Sequence, residues 1–91
     1  MTEESIQTLH PQGKSGRSIS KEKYELMKRA MLSVLKNNKL THKELFIELE
    51  KHLENKFSGN ISWYAETVKL DLEARKIIER TTDQPQKYFI K

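Results

Sequence analysis

Apolar residues recur at two different periods along this 91-residue chain, and the change of period divides it. Tyr24, Met27, Met31, Val34 and Leu35 follow helical spacing and make one stripe. Ser20 stands before them as an N-cap, and Asn37-Asn38 supply a residue type that ends helices in the left-handed conformation. The pattern predicts a first helix over about 20–37. Thr41-His42-Lys43-Glu44 has the form of a capping box, in which the Thr hydroxyl accepts from the Glu amide and the carboxylate reaches back. Leu45, Leu49 and Leu53, flanked by Phe46, give the second helix its buried side. Lys56-Phe57-Ser58-Gly59-Asn60 breaks it, with Gly59 free to take positive φ. A third helix starts at Asn60 or Ser62 and runs to about Arg75, with Ile61, Ala65, Val68 and Leu72 on one face and Tyr64 at its edge.

Beyond Arg75 the period shortens. Ile77-Ile78-Glu79-Arg80-Thr81 and Lys87-Tyr88-Phe89-Ile90 read as strands around the turn Thr82-Asp83-Gln84-Pro85-Gln86. Antiparallel pairing would let Ile77 and Phe89 share the core face, and Leu40 offers a short third strand. Before Ser20 only Ile6, Leu9 and Ile19 are large and apolar besides Met1, and His10–Gly16 has turn composition. Residues 1–19 therefore read as an N-terminal arm, in which Ile6 and Leu9 are an edge strand or a frayed tail, and residues 20–91 as the domain. The expected fold is mainly α with a small β-hairpin: a winged helix-turn-helix with a three-helix core and a C-terminal wing.

Composition narrows the function classes. With 35% hydrophobic and 33% charged residues the chain has material for one thin core. It has no cysteine, which excludes disulfides and thiolate metal sites. No apolar run approaches the roughly 20 residues of a membrane span, and the acidic start Met1-Thr2-Glu3-Glu4 lacks an apolar leader, so the expectation is a cytoplasmic protein without membrane contact. The net charge of +4 is compatible with nucleic acid and does not demand it.

The run Leu72-Glu73-Ala74-Arg75-Lys76-Ile77-Ile78-Glu79-Arg80 resembles the end of a recognition helix entering the first wing strand of bacterial winged-helix regulators, which usually carry Gly where this chain has Lys76. Lys23–Lys28, Leu40–Glu44 and Trp63–Ala74 are similar to a family of short bacterial proteins of unknown function, over almost the whole chain. That resemblance implies the fold and carries no activity with it.

Few residues suggest chemistry. Gly13-Lys14-Ser15 superficially looks like a phosphate loop, but Thr8 stands where the earlier glycine is needed. His10, His42 and His52 share no metal-ligand spacing, and Glu48 and His52 lie one helical turn apart as a surface pair. Nothing resembles a nucleophile with its base, so no enzymatic activity, cofactor, metal or small-molecule ligand is expected. Between Ser62 and Lys76, three basic residues (Lys69, Arg75, Lys76) balance three acidic ones (Glu66, Asp71, Glu73). The first helix, by contrast, carries five basic residues against two acidic ones.

Two readings follow. In the leading one the chain binds duplex DNA as a transcriptional regulator, with Ser62, Trp63 and Thr67 on the groove helix, Lys43, Lys69 and Lys76 at phosphates, and Gln84, Gln86 and Lys87 on the wing. In the alternative it is a protein-interaction or dimerisation module. Its face is then Trp63 and Leu70, which project away from the core stripe and must be covered by Ile6 and Leu9 of the arm or by a second copy.

Overall fold

A computed structural model describes residues 4–13, 15–82 and 84–91. The chain runs β1 (Ser5–Leu9), β2 (Ser15–Ser20), α1 (Lys21–Leu35), β3 (Leu40–Thr41), α2 (His42–Leu53), α3 (Ile61–Ala74), β4 (Ile78–Arg80) and β5 (Lys87–Ile90). Each helix begins where its cap is written. The Ser20 hydroxyl accepts from the Lys23 amide, the Thr41–Glu44 capping box closes in both directions, and the Asn60 side chain accepts from the Trp63 amide. Asn37 takes the left-handed conformation after α1, and Gly59 has φ +119 before α3.

The expected winged helix is not what forms. The protein is an α+β fold with two sheets, and strands stand at both ends of the chain. At the C-terminal end the sheet has three antiparallel strands in the order β3-β5-β4, with Leu40 opposite Tyr88 and Arg80 opposite Tyr88 from the other side. At the N-terminal end the segment read as an arm folds into the β1–β2 hairpin, which lies against α1 and α3. Ile19 enters the core and Ile6 packs on it. A winged helix used for DNA leaves the outward face of its third helix free for the groove. Here that face of α3 meets the hairpin, and this is why the three-helix-plus-wing description fails.

Two details conceal the hairpin in the sequence. Beside Ile19, the hairpin buries Thr8, a polar side chain that is 1% exposed and accepts from the Arg17 amide through Oγ1. The pairing register also shifts between Gln7 and Leu9, with the extra residue on β2, so β1 keeps its alternation while Arg17 and Ser18 of β2 are both exposed.

The core gathers Tyr24, Met27, Met31 and Leu35 of α1, Leu45, Leu49 and Leu53 of α2, and Ala65, Val68 and Leu72 of α3 under Ile78 and Tyr88 of the sheet. The C-terminal hairpin is antiparallel as expected, but its register turns Ile78 and Tyr88 inward where Ile77 and Phe89 were expected, and Ile61 is only half-buried. The cause lies at the end of α3. The Lys76 amide donates to Glu73 O and the Ile77 amide to Leu72 O, a Schellman cap that uses up Ile77 and starts the strand one residue later.

Candidate functional site

α3 organises the polar chemistry of the molecule. Lys69 lies on the same helical stripe as Ala65 and Leu72, so the helix carries its side chain inward and leaves it 2% exposed. Its Nζ donates to the Tyr88 hydroxyl at 3.3 Å and stands 3.5 Å from Glu66 Oε1 and 3.7 Å from Glu73 Oε1. It also sits 4.6 Å from the centre of the Tyr88 ring. Glu73 extends the network by accepting from Arg80 at 2.7 Å, and Glu66 extends it to His42 Nε2 at 3.0 Å. Glu73 Oε1 has no hydrogen bond and faces Lys69 Nζ at ion-pair distance. Partial burial raises the pKa of the Glu66 carboxyl, but the His42 hydrogen bond and the Lys69 charge outweigh it and hold the group below its ordinary value. The Glu73 carboxylate raises the pKa of Arg80.

A second cluster centres on Asp71, which is fully buried. Its carboxylate accepts from the Leu9 amide at 2.8 Å, from Arg75 Nε at 2.9 Å and from the Tyr24 hydroxyl. Burial and then the Asp71 carboxylate push the Tyr24 phenol well above its usual range. These bonds join the N-terminal hairpin, α1 and α3 at one carboxylate. Both clusters satisfy their own charges and tie elements together, so they read as structural.

Among the described residues, one surface feature without such an explanation is Trp63. It is 43% exposed and meets Tyr64 edge to face at 4.9 Å between ring centres, while Phe57 meets Tyr64 at 5.2 Å. Lys23 of α1 lies over the Tyr64 ring at 5.1 Å. The run Phe57-Ser58-Gly59-Asn60-Ile61-Ser62-Trp63-Tyr64-Ala65 contains no charged residue.

The residues expected to bind DNA do not converge. Ser62 and Trp63 are exposed in the first turn of α3, while Thr67 and Leu70 face the hairpin and line a 500 Å³ concavity with Leu9 and Arg17. Lys69 was expected at a phosphate and is enclosed instead. Lys76 is exposed at the other end of α3 with φ +66. Lys43 and Gln86 line one 510 Å³ concavity beside β5, where Lys87 lies opposite Thr41. Gln84 is exposed and precedes Pro85 through a cis peptide bond. Of the expected interaction face, Leu70 meets the arm and Trp63 does not lose its exposure. Lys14 of the loop-like Gly13-Lys14-Ser15 lies outside the described residues. Glu48 pairs with Lys51 at 3.6 Å rather than with His52. Among the described residues no three His, Asp or Glu side chains form a metal-sized group, and no helix is long and apolar enough to cross a membrane.

The sequence did signal Lys69, because its position on the core stripe is legible from helical spacing. Asp71 carries no comparable mark, since its main partners come from residues 9 and 24.

A family model matches residues 5–88, and the chain belongs to that family, described as a family of unknown function (DUF6958). No curated protein and no solved structure matches the chain.

Proposed function

We propose that the chain is a protein-docking module whose contact surface is the aromatic patch of Trp63, Tyr64 and Phe57, and that a second copy of the same chain meets it. The observation that carries this is Trp63 itself, a large side chain left 43% exposed against the Tyr64 ring. Tryptophan is enriched at the centre of protein contacts, where two rotatable bonds give a large area at small entropic cost. A two-fold contact brings each patch against itself, so it needs a surface without like-charge repulsion. The run from Phe57 to Ala65 carries no charge of its own, and the cation beside it, Lys23, is held over the face of the Tyr64 ring.

Sedimentation equilibrium over a concentration series tests the reading. Dimer formation is expected together with a blue shift of Trp63 emission, and Trp63→Ala, which removes the indole from both copies, is expected to weaken the dimer about thirtyfold or more, since each buried anchor is worth roughly 2 kcal/mol. A chain that stays monomeric at millimolar concentration, with emission of a wet indole throughout, overturns it.

Duplex DNA binding is the second reading, favoured by Lys43 and Gln86 sharing a concavity beside Lys87. With Lys69 enclosed and Thr67 against the hairpin, such binding rests on phosphate contacts alone. It is expected to fall steeply with salt and with Lys87→Glu, and no binding of a random duplex at low salt and about 10–100 μM overturns it.

A further inference from the structure

At the opposite end of α1 from its Ser20 cap, the chain builds an open groove of 430 Å³. Its floor is apolar, made by Leu35 at the last turn of α1 and by Phe89 and Ile90 of β5. Its rim is cationic, made by Lys36 and Lys39. No carboxylate lines it, and neither lysine forms an ion pair among the described residues. Lys39 Nζ stands over the Phe89 ring at 5.0 Å, so the charge is held beside the floor. Ile90 is 38% exposed there although its strand partner Ile78 is buried.

The walls are fixed before anything binds. The 36–39 connection turns through Asn37 in the left-handed conformation, and the Asn38 amide donates to Leu35 O at 3.0 Å. The Asn38 side chain donates to Val34 O at 3.1 Å, which closes the carbonyl end of α1. A ligand entering the groove therefore meets a preorganised surface and loses little to ordering it.

We propose that this groove docks an acidic polypeptide segment carrying one bulky apolar anchor residue. The anchor covers Phe89 and Ile90 above the buried Leu35, and carboxylates on either side of it meet Lys36 and Lys39. Charge complementarity selects this occupant. A phosphate backbone would neutralise the lysines and leave the apolar floor wet, and an uncharged apolar peptide would leave the lysines beside it unpaired. The site is separate from the Trp63 patch, so it stands or falls independently of dimer formation.

The test is a titration of the ¹⁵N-labelled full chain, read by amide shifts. The probe is a seven-residue peptide with a central Phe flanked on both sides by Asp and Glu. The expected result is a saturable response confined to residues 35–39 and 87–91. Two control peptides remove one feature each: Gly replaces the anchor in one, and Asn and Gln replace the acids in the other. Each is expected to bind about tenfold or more weakly. The double variant Lys36→Gln, Lys39→Gln changes only exposed side chains, so it keeps the fold, and it is expected to lose the response while Trp63→Ala retains it. The proposal is overturned if the anchorless acidic peptide binds as well as the probe, if the shifts map elsewhere, or if millimolar probe gives none. A 12-base-pair duplex that shifts these amides where the probe does not would make the rim a polyanion surface, and this also overturns the proposal.

Discussion

At the scale of single residues, Lys76 shows what the chain tolerates at a point where another residue type fits better. It occupies the C′ position of the Schellman cap with φ +66, the conformation that costs an L-residue about 1–2 kcal/mol and glycine almost nothing. Its side chain is exposed and in no ion pair among the described residues, so nothing there offsets the cost. Lys76→Gly is expected to raise stability by about 0.5–1 kcal/mol, since the gain is reduced by the entropy glycine adds to the unfolded chain. Lys76→Val, branched at Cβ, is expected to lower it by about 1 kcal/mol or more. Urea midpoints at unchanged slope measure both, and a Lys76→Gly variant no more stable than the parent would show that the strain is absorbed elsewhere. Lys69 makes the contrasting point. Three partners and a ring face surround its ammonium group, so a residue that sequence habit assigns to the surface is part of the interior.

At the scale of elements, the helices were legible and the sheets only partly so. The caps at Ser20, Thr41 and Asn60 are local, each made within four residues, so the sequence announces them. Strand facing is not local. Ile77-Ile78 and Tyr88-Phe89-Ile90 put apolar residues at both parities, and a choice between two registers one residue apart rests on the cap that consumes Ile77. The N-terminal hairpin was harder still, because one of its buried residues is the polar Thr8 and its bulge interrupts the alternation on β2. Gly16 reports how closely the two strands approach. A Cβ built there would lie 2.3 Å from Thr8 Oγ1 and 2.4 Å from Thr8 O. Because one of these atoms is backbone, no rotamer relieves the clash. Gly16→Ala is expected to cost about 1–3 kcal/mol or more, and Thr8→Ala added to it is not expected to restore stability. Thermal unfolding of the single and double variants checks this. Full rescue by Thr8→Ala would place the whole clash on the side chain.

At the scale of the whole molecule, the question is whether the hairpin is an appendage or part of the cooperative unit, because that decides which face of α3 any partner can reach. Two kinds of contact hold it. Ile6 and Ile19 add to the core, and the Leu9 amide donates to Asp71, whose carboxylate also binds Tyr24 and Arg75. An appendage would open on its own, and its amides would exchange with solvent far faster than those of the core helices. A docked hairpin shares the opening free energy of the core. Native-state hydrogen exchange is therefore expected to show β1 and β2 ladder amides, and the Leu9 amide, protected to nearly the extent of the α2 amides of Leu49 and Leu53. Asp71→Asn keeps the shape and removes the charge. Hydrogen bonds to a charged group are worth about 1.5–3 kcal/mol, so the hairpin amides are expected to exchange about ten- to a hundredfold faster in this variant. If the hairpin opens separately once the clamp is weakened, that acceleration exceeds the one at Leu49 and Leu53. Unprotected β1 amides in the parent chain would mean that α3 is intermittently bare, and would return Thr67 and Leu70 to the reach of a partner. Equal acceleration everywhere in Asp71→Asn would mean that the carboxylate stabilises the fold as one unit and holds no latch of its own.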